Sequence, residues 1–83
     1  MKLLKFHATW CGPCKALSQV MENCKDKWDI PVADIDIDQS RDIAMEYGIR
    51  SVPTMILCDE NDNQLKRHSG SMKESEFLEF IKG

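Results

Sequence analysis

Cys11 and Cys14 are separated only by Gly12 and Pro13, and two thiols at that spacing have two chemistries open to them: reversible disulfide exchange or metal ligation. The flanking residues place the pair. An apolar run, Leu3-Leu4-Lys5-Phe6-His7-Ala8, precedes Trp10-Cys11-Gly12-Pro13-Cys14-Lys15, and apolar residues at helical spacing follow, so the cysteines fall where a strand feeds a helix. A helix N-terminus carries unpaired N–H groups and roughly half a positive charge, which favours a thiolate, the species that attacks a disulfide. Cys11 is therefore the expected nucleophile. Cys14, at the i, i+3 spacing, is the expected resolving thiol, close enough for the bond between them to open and close without large backbone movement.

The elements that must position this pair follow from periodicity. Residues 2–8 form an apolar strand. Pro13 is tolerated in an opening helical turn, and Ala16, Leu17, Val20, Met21 and Cys24 recur at helical spacing to about Asp26. Val32, Ile35 and Ile37 mark a second strand; Ser40 is expected to cap a short helix through Ile43, Ala44 and Tyr47 that Gly48 ends. A strand, helix and strand in succession predict a parallel pair with a right-handed crossover. Thr54–Cys58 and Gln64–His68 flank a turn-rich segment as in a hairpin. A last helix follows Gly70, with Ser71 and Glu74 at capping-box spacing and Phe77, Leu78 and Ile81 as its apolar stripe. The expected fold class is α/β, a four-stranded mixed sheet flanked by three helices in the order βαβαββα.

Composition narrows the function classes. The 83 residues make one domain, 1–83, which by general scaling buries about 60–65% of its unfolded surface. A net charge of −3 with acids and bases interspersed leaves no basic patch, so neither nucleic acid nor an anionic membrane is an expected partner. The N-terminal apolar stretch is too short for a signal peptide and nothing approaches the ~20 apolar residues of a membrane span, which points to the cytoplasm, where thiols are kept mostly reduced. Four cysteines leave zinc formally open, but only one C-x-x-C pair exists, and Cys24 and Cys58 fall on a helical apolar stripe and in an apolar strand. Buried inert thiols are expected there. The run Asp34-Ile35-Asp36-Ile37-Asp38 lacks a calcium loop's glycine at Gln39 and its bidentate glutamate at Met45, and reads as strand.

The hexapeptide Trp10–Lys15 resembles the active site of thioredoxins letter for letter. Ala33–Asp38, the segment Glu46-Tyr47-Gly48-Ile49-Arg50-Ser51-Val52-Pro53-Thr54 and Gly70 are similar to that family's central strand, proline loop and late glycine, in its order and at compatible spacing. The resemblance spans nearly the whole chain and is to a short form that lacks the family's first strand and helix. It implies a thioredoxin fold and a monomeric protein disulfide reductase with no bound cofactor. Disulfide-containing client proteins are its substrates, and a thioredoxin reductase, NADPH-linked, re-reduces it. It also implies a cis Val52–Pro53 bond facing the cysteines across a shallow groove, with Val52's backbone free to pair with an extended substrate. Trp10, held by Asp38, would stand beside the nucleophile, and Gly12, Pro13 and Gly70 would form an uncharged docking rim. Gly-Pro between the cysteines, in place of the Pro-Tyr frequent in glutaredoxins, favours protein dithiols over glutathione as electron source. The alternatives are a glutaredoxin-like glutathione-coupled reductase, an accessory interaction subunit with incidental redox activity, and, as related folds allow, an iron–sulfur cluster shared between two chains.

One departure from the family pattern stands out. The family places a buried Asp six residues before the nucleophile and a Lys near it on the central strand; this chain has Lys5 and Asp34 at those positions. A lone buried charge is costly and a compensated pair tolerable, so the reading is that Asp34, held by Lys5, supplies the carboxylate for proton transfer to and from Cys14. The other reading is an ordinary solvated ion pair. His7, where the family usually has an aromatic residue, either tunes the thiolate or is a packing histidine.

Overall fold

In strand β1 (Lys2–His7), Leu3 and Lys5 face one side and Leu4 and Phe6 the other, and all four are buried, so a layer must cover each face. The computed structural model describes residues 1–83. It continues through α1 (Gly12–Asn23), a 3₁₀ turn (Lys25–Lys27), β2 (Val32–Asp36), α2 (Arg41–Glu46), β3 (Thr54–Cys58), β4 (Gln64–Ser69) and α3 (Glu74–Phe80). This is the βαβαββα order read from the sequence, and the four strands form one mixed sheet in the order β2-β1-β3-β4. β1 pairs parallel with β2, Lys5 opposite Asp34, and antiparallel with β3, Lys5 opposite Met55; β3 and β4 form the hairpin. Parallel strands need a crossover, and α1 supplies it.

The two faces are packed separately. Leu3, Met55 and Leu57 from the sheet meet Leu17, Met21 and Cys24 of the α1 segment and Phe77 of α3 on one side; Leu4, Phe6, Ile56 and Cys58 meet Ile43, Tyr47 and Ile49 of the α2 segment on the other. Burying each large apolar side chain of this kind contributes ~1.5–3 kcal/mol. Phe77 is fully buried, in a T-shaped pair with Trp28 at 5.4 Å between ring centroids. The first core fixes α1 against the middle of the sheet, and so fixes where its leading end lies.

Three local expectations shift. α1 stops at Asn23 instead of about Asp26, because Cys24 turns out of helical geometry and a 3₁₀ turn follows. Ser40 precedes α2 without a hydroxyl cap; the turn is held instead by Asp36, whose carboxylate accepts from Asp38 N at 2.8 Å and whose carbonyl accepts from Ser40 N. The start of α3 moves two residues on from the expected cap. Met72 is buried in the first core, the chain stays extended at Lys73, and the Glu76 carboxylate accepts from Lys73 N at 2.9 Å. Gly48 does end α2, at φ +65°, a conformation that disfavours any residue with a Cβ.

Candidate active site

Cys11 is the N-cap of α1, its backbone extended, and its sulfur accepts from Cys14 N at 3.1 Å, so the thiol position is built into the helix start. Pro13 occupies the first turn, where no N–H is needed. Cys11 and Cys14 are joined as a disulfide with Cα atoms 5.3 Å apart, inside the ordinary range for such a bond. Both are about 4% exposed and pack with Ala8, Ile37 and Val52.

The proline loop stands across from them. The Val52–Pro53 peptide is cis, and the Val52 carbonyl oxygen lies 3.6 Å from Cys11 Sγ. Thr54, which begins β3, donates its hydroxyl to Ser51 O at 2.8 Å and braces the turn, a role the sequence reading missed. Gly70 N donates to Pro53 O at 2.7 Å, tying the late glycine to the same loop at φ +98°. A Cβ added at Gly12 or Gly70 would meet no atom within 4 Å, so both present bare backbone to open space. Trp10 is 68% exposed, and its indole N–H donates to Asp38 at 2.9 Å.

A cleft of about 680 Å³ runs beneath α1, with Lys5, His7, Cys14, Ser18 and Asp34 among its lining. Lys5 and Asp34 are paired at 3.5 Å, but their burial is unequal: the Lys5 side chain is 8% exposed and that of Asp34 60%. Topology explains the difference, since α1 covers β1 whereas β2 is the sheet edge. The Lys5 ammonium also donates to Ser18 Oγ. Ser18 went unnoticed in the sequence, although it stands four residues after Cys14 and hence on its helix face.

Cys24 and Cys58 are fully buried free thiols, one in each core. Burial pushes both thiols above their ordinary acidity range, and Cys24 S–H donates to Val20 O at 3.2 Å. No group of three or more His, Cys, Asp or Glu side chains is arranged to hold a metal ion.

Comparison with known proteins agrees with this geometry. The family model named Thioredoxin matches residues 1–83. The chain is 38% identical over 81 residues to a thioredoxin of Mycoplasmoides gallisepticum, covering 96% of this chain and 80% of that protein. It is 35% identical over 82 residues to the mitochondrial thioredoxin of Bos taurus, spanning 96% of this chain and 49% of that relative's length. Among solved structures, a single-site mutant of a thioredoxin from Halobacterium salinarum superposes with a TM-score of 0.84 at 36% identity, covering 96% of this chain and 70% of the other. The matched fold and the disulfide at the head of α1 thus carry one conclusion: the chain belongs to the thioredoxin family of thiol–disulfide oxidoreductases.

Proposed function

We propose that this thioredoxin acts as a monomer in the cytoplasm, reducing exposed disulfides of client proteins and drawing electrons from an NADPH-linked thioredoxin reductase. The observation that carries the reading is the Cys11–Cys14 disulfide set at a helix N-terminus opposite the Val52 carbonyl. In the reduced protein the Cys11 thiolate attacks one client sulfur, the client S–S bond breaks, and a mixed disulfide forms. Cys14 then attacks Cys11 Sγ, the client leaves as a dithiol, and the oxidised state described above remains. Two electrons have passed to the client. Thioredoxins carry this out without a bound cofactor.

Client docking uses the uncharged rim of Gly12, Pro13 and Gly70, the exposed Trp10 and the loop Val52–Pro53, where an extended backbone can pair with Val52. Asp34, at the solvent end of the Lys5 pair, takes and returns the Cys14 proton across the shared cleft. A chain of this kind works as a reductant only where its own disulfide is re-reduced, which supports the cytoplasmic reading.

The test is insulin disulfide reduction with NADPH and a thioredoxin reductase, and separately with glutathione. Turnover in the first arm and not the second is expected, and Cys11→Ser should reduce it to background. Turnover with glutathione alone would establish a glutaredoxin-like route, and a client interaction that survives Cys11→Ser with no turnover in the parent would mark an accessory subunit.

A further inference from the structure

Lys5 puts a cation under α1, with its ammonium bonded to Ser18 Oγ and 3.5 Å from Asp34. Ser18 is one helical turn on from Cys14, and side chains so related have Cβ atoms ~5–6 Å apart on one helix face. Lys5, Ser18 and Cys14 line the same cleft. The other titratable groups on it are His7 from β1, Asp34 from β2, and Lys15 and Glu22 from α1; His7 is half-buried and the last three are exposed. Water screens exposed charges far more than a buried one, so Asp34, at the rim, cancels the Lys5 cation only in part.

We propose that Lys5 sets the redox poise of this chain: its buried ammonium stabilises the reduced Cys11–Cys14 pair and makes the protein a weaker reductant than the same site with a neutral residue there. The inference rests on the disulfide-exchange reading above. Its logic is a difference between two states. The reduced pair holds a thiolate and the disulfide holds no charge, so a nearby cation lowers the free energy of the reduced form alone, and a stabilised reduced form means a readier electron acceptor. Lys5 touches neither client nor sulfur in this role; it acts through space. Asp34 opposes it.

The measurement is equilibration of the full chain in glutathione buffers at pH 7. Two glutathione thiols are oxidised to glutathione disulfide as the Cys11–Cys14 bond is reduced, with two electrons transferred. One of the two protons released on glutathione oxidation goes to solvent where the reduced pair keeps a thiolate. The reduced fraction is read by acid quench and alkylation. Lys5→Met should shift the equilibrium about tenfold toward the disulfide, ~30 mV for a two-electron couple, whereas Lys5→Arg keeps the parent value. Asp34→Asn, at an exposed position whose loss leaves the fold intact, should shift it the opposite way and by less. Opposite signs from the two ends of one ion pair are what a structural role does not produce. Shifts of the same sign, or none, overturn the proposal, and should Lys5→Met not fold, Lys5→Gln, which keeps a donor for Ser18 Oγ without the charge, is read in its place with the same expected sign. A parent chain whose Cys11–Cys14 bond is not opened even by a small dithiol such as dithiothreitol would instead overturn the disulfide-exchange reading itself.

Discussion

Two pairs of cysteines in one chain have opposite chemistry, and position alone separates them. Cys11 and Cys14 sit at the head of α1 against a loop and a cleft, joined to each other; Cys24 and Cys58 lie in the two cores on opposite faces of the sheet, unjoined and fully buried. At the helix N-terminus the unpaired N–H groups and the dipole stabilise a thiolate. In the cores burial outweighs the nearby cations, Lys27 for Cys24 and Lys2 for Cys58, and pushes both thiols toward the protonated form. What makes a cysteine reactive here is therefore the end of an element, not the residue type.

The largest effect that sharpens this contrast is on turnover. Cys11→Ser should lower disulfide reduction to background, and Cys14→Ser should leave Cys11 able to attack but unable to release, so that a mixed disulfide with the client accumulates and is visible by non-reducing electrophoresis. Cys24→Ala and Cys58→Ala should leave the initial rate unchanged. A rate lost on removing a core thiol would break the division between the pairs.

Next in size is the stability the core thiols contribute. Removing one buried heavy atom leaves a small cavity, so Cys24→Ala should destabilise the fold by about 1 kcal/mol, the range seen for single-group deletions in cores. For a domain of this size that lowers the melting temperature by roughly 4–8 °C, read by thermal denaturation followed by circular dichroism. No melting change would mean that the two cores tolerate the void.

How much of this division the sequence carries depends on the length scale of the cause. The reactive pair is a local pattern, an apolar strand, C-x-x-C and a helical stripe, and the structure places it at the N-cap of α1. The cores are also legible, since Leu17, Met21 and Cys24 keep helical spacing and are buried together. Helix ends are less so, because the α3 start was moved by the burial of Met72, a tertiary contact that outweighs the local Ser71 signal. The unequal burial of Lys5 and Asp34 is beyond a one-dimensional reading. It arises because α1 covers β1 while β2 ends the sheet, and the Ser18 contact exists only once α1 has packed there.

The smallest effect is a pH dependence. For Cys24 and Cys58 the folded thiol is less acidic than the unfolded one, so the native state binds more protons than the unfolded state at alkaline pH. Their contribution is fully present below the ordinary thiol range and is lost as pH rises from there through the raised folded values. Chemical denaturation of the oxidised protein, in which Cys11 and Cys14 do not titrate, should therefore show stability falling on the alkaline side. In the Cys24→Ala, Cys58→Ala double variant the curve should be lower at neutral pH but flatter across the same alkaline window, because the groups whose protons drive the slope are gone. A double variant that loses stability with pH as steeply as the parent would show that the core thiols ionise as freely as exposed ones, and the contrast between the two pairs would then reduce to access alone.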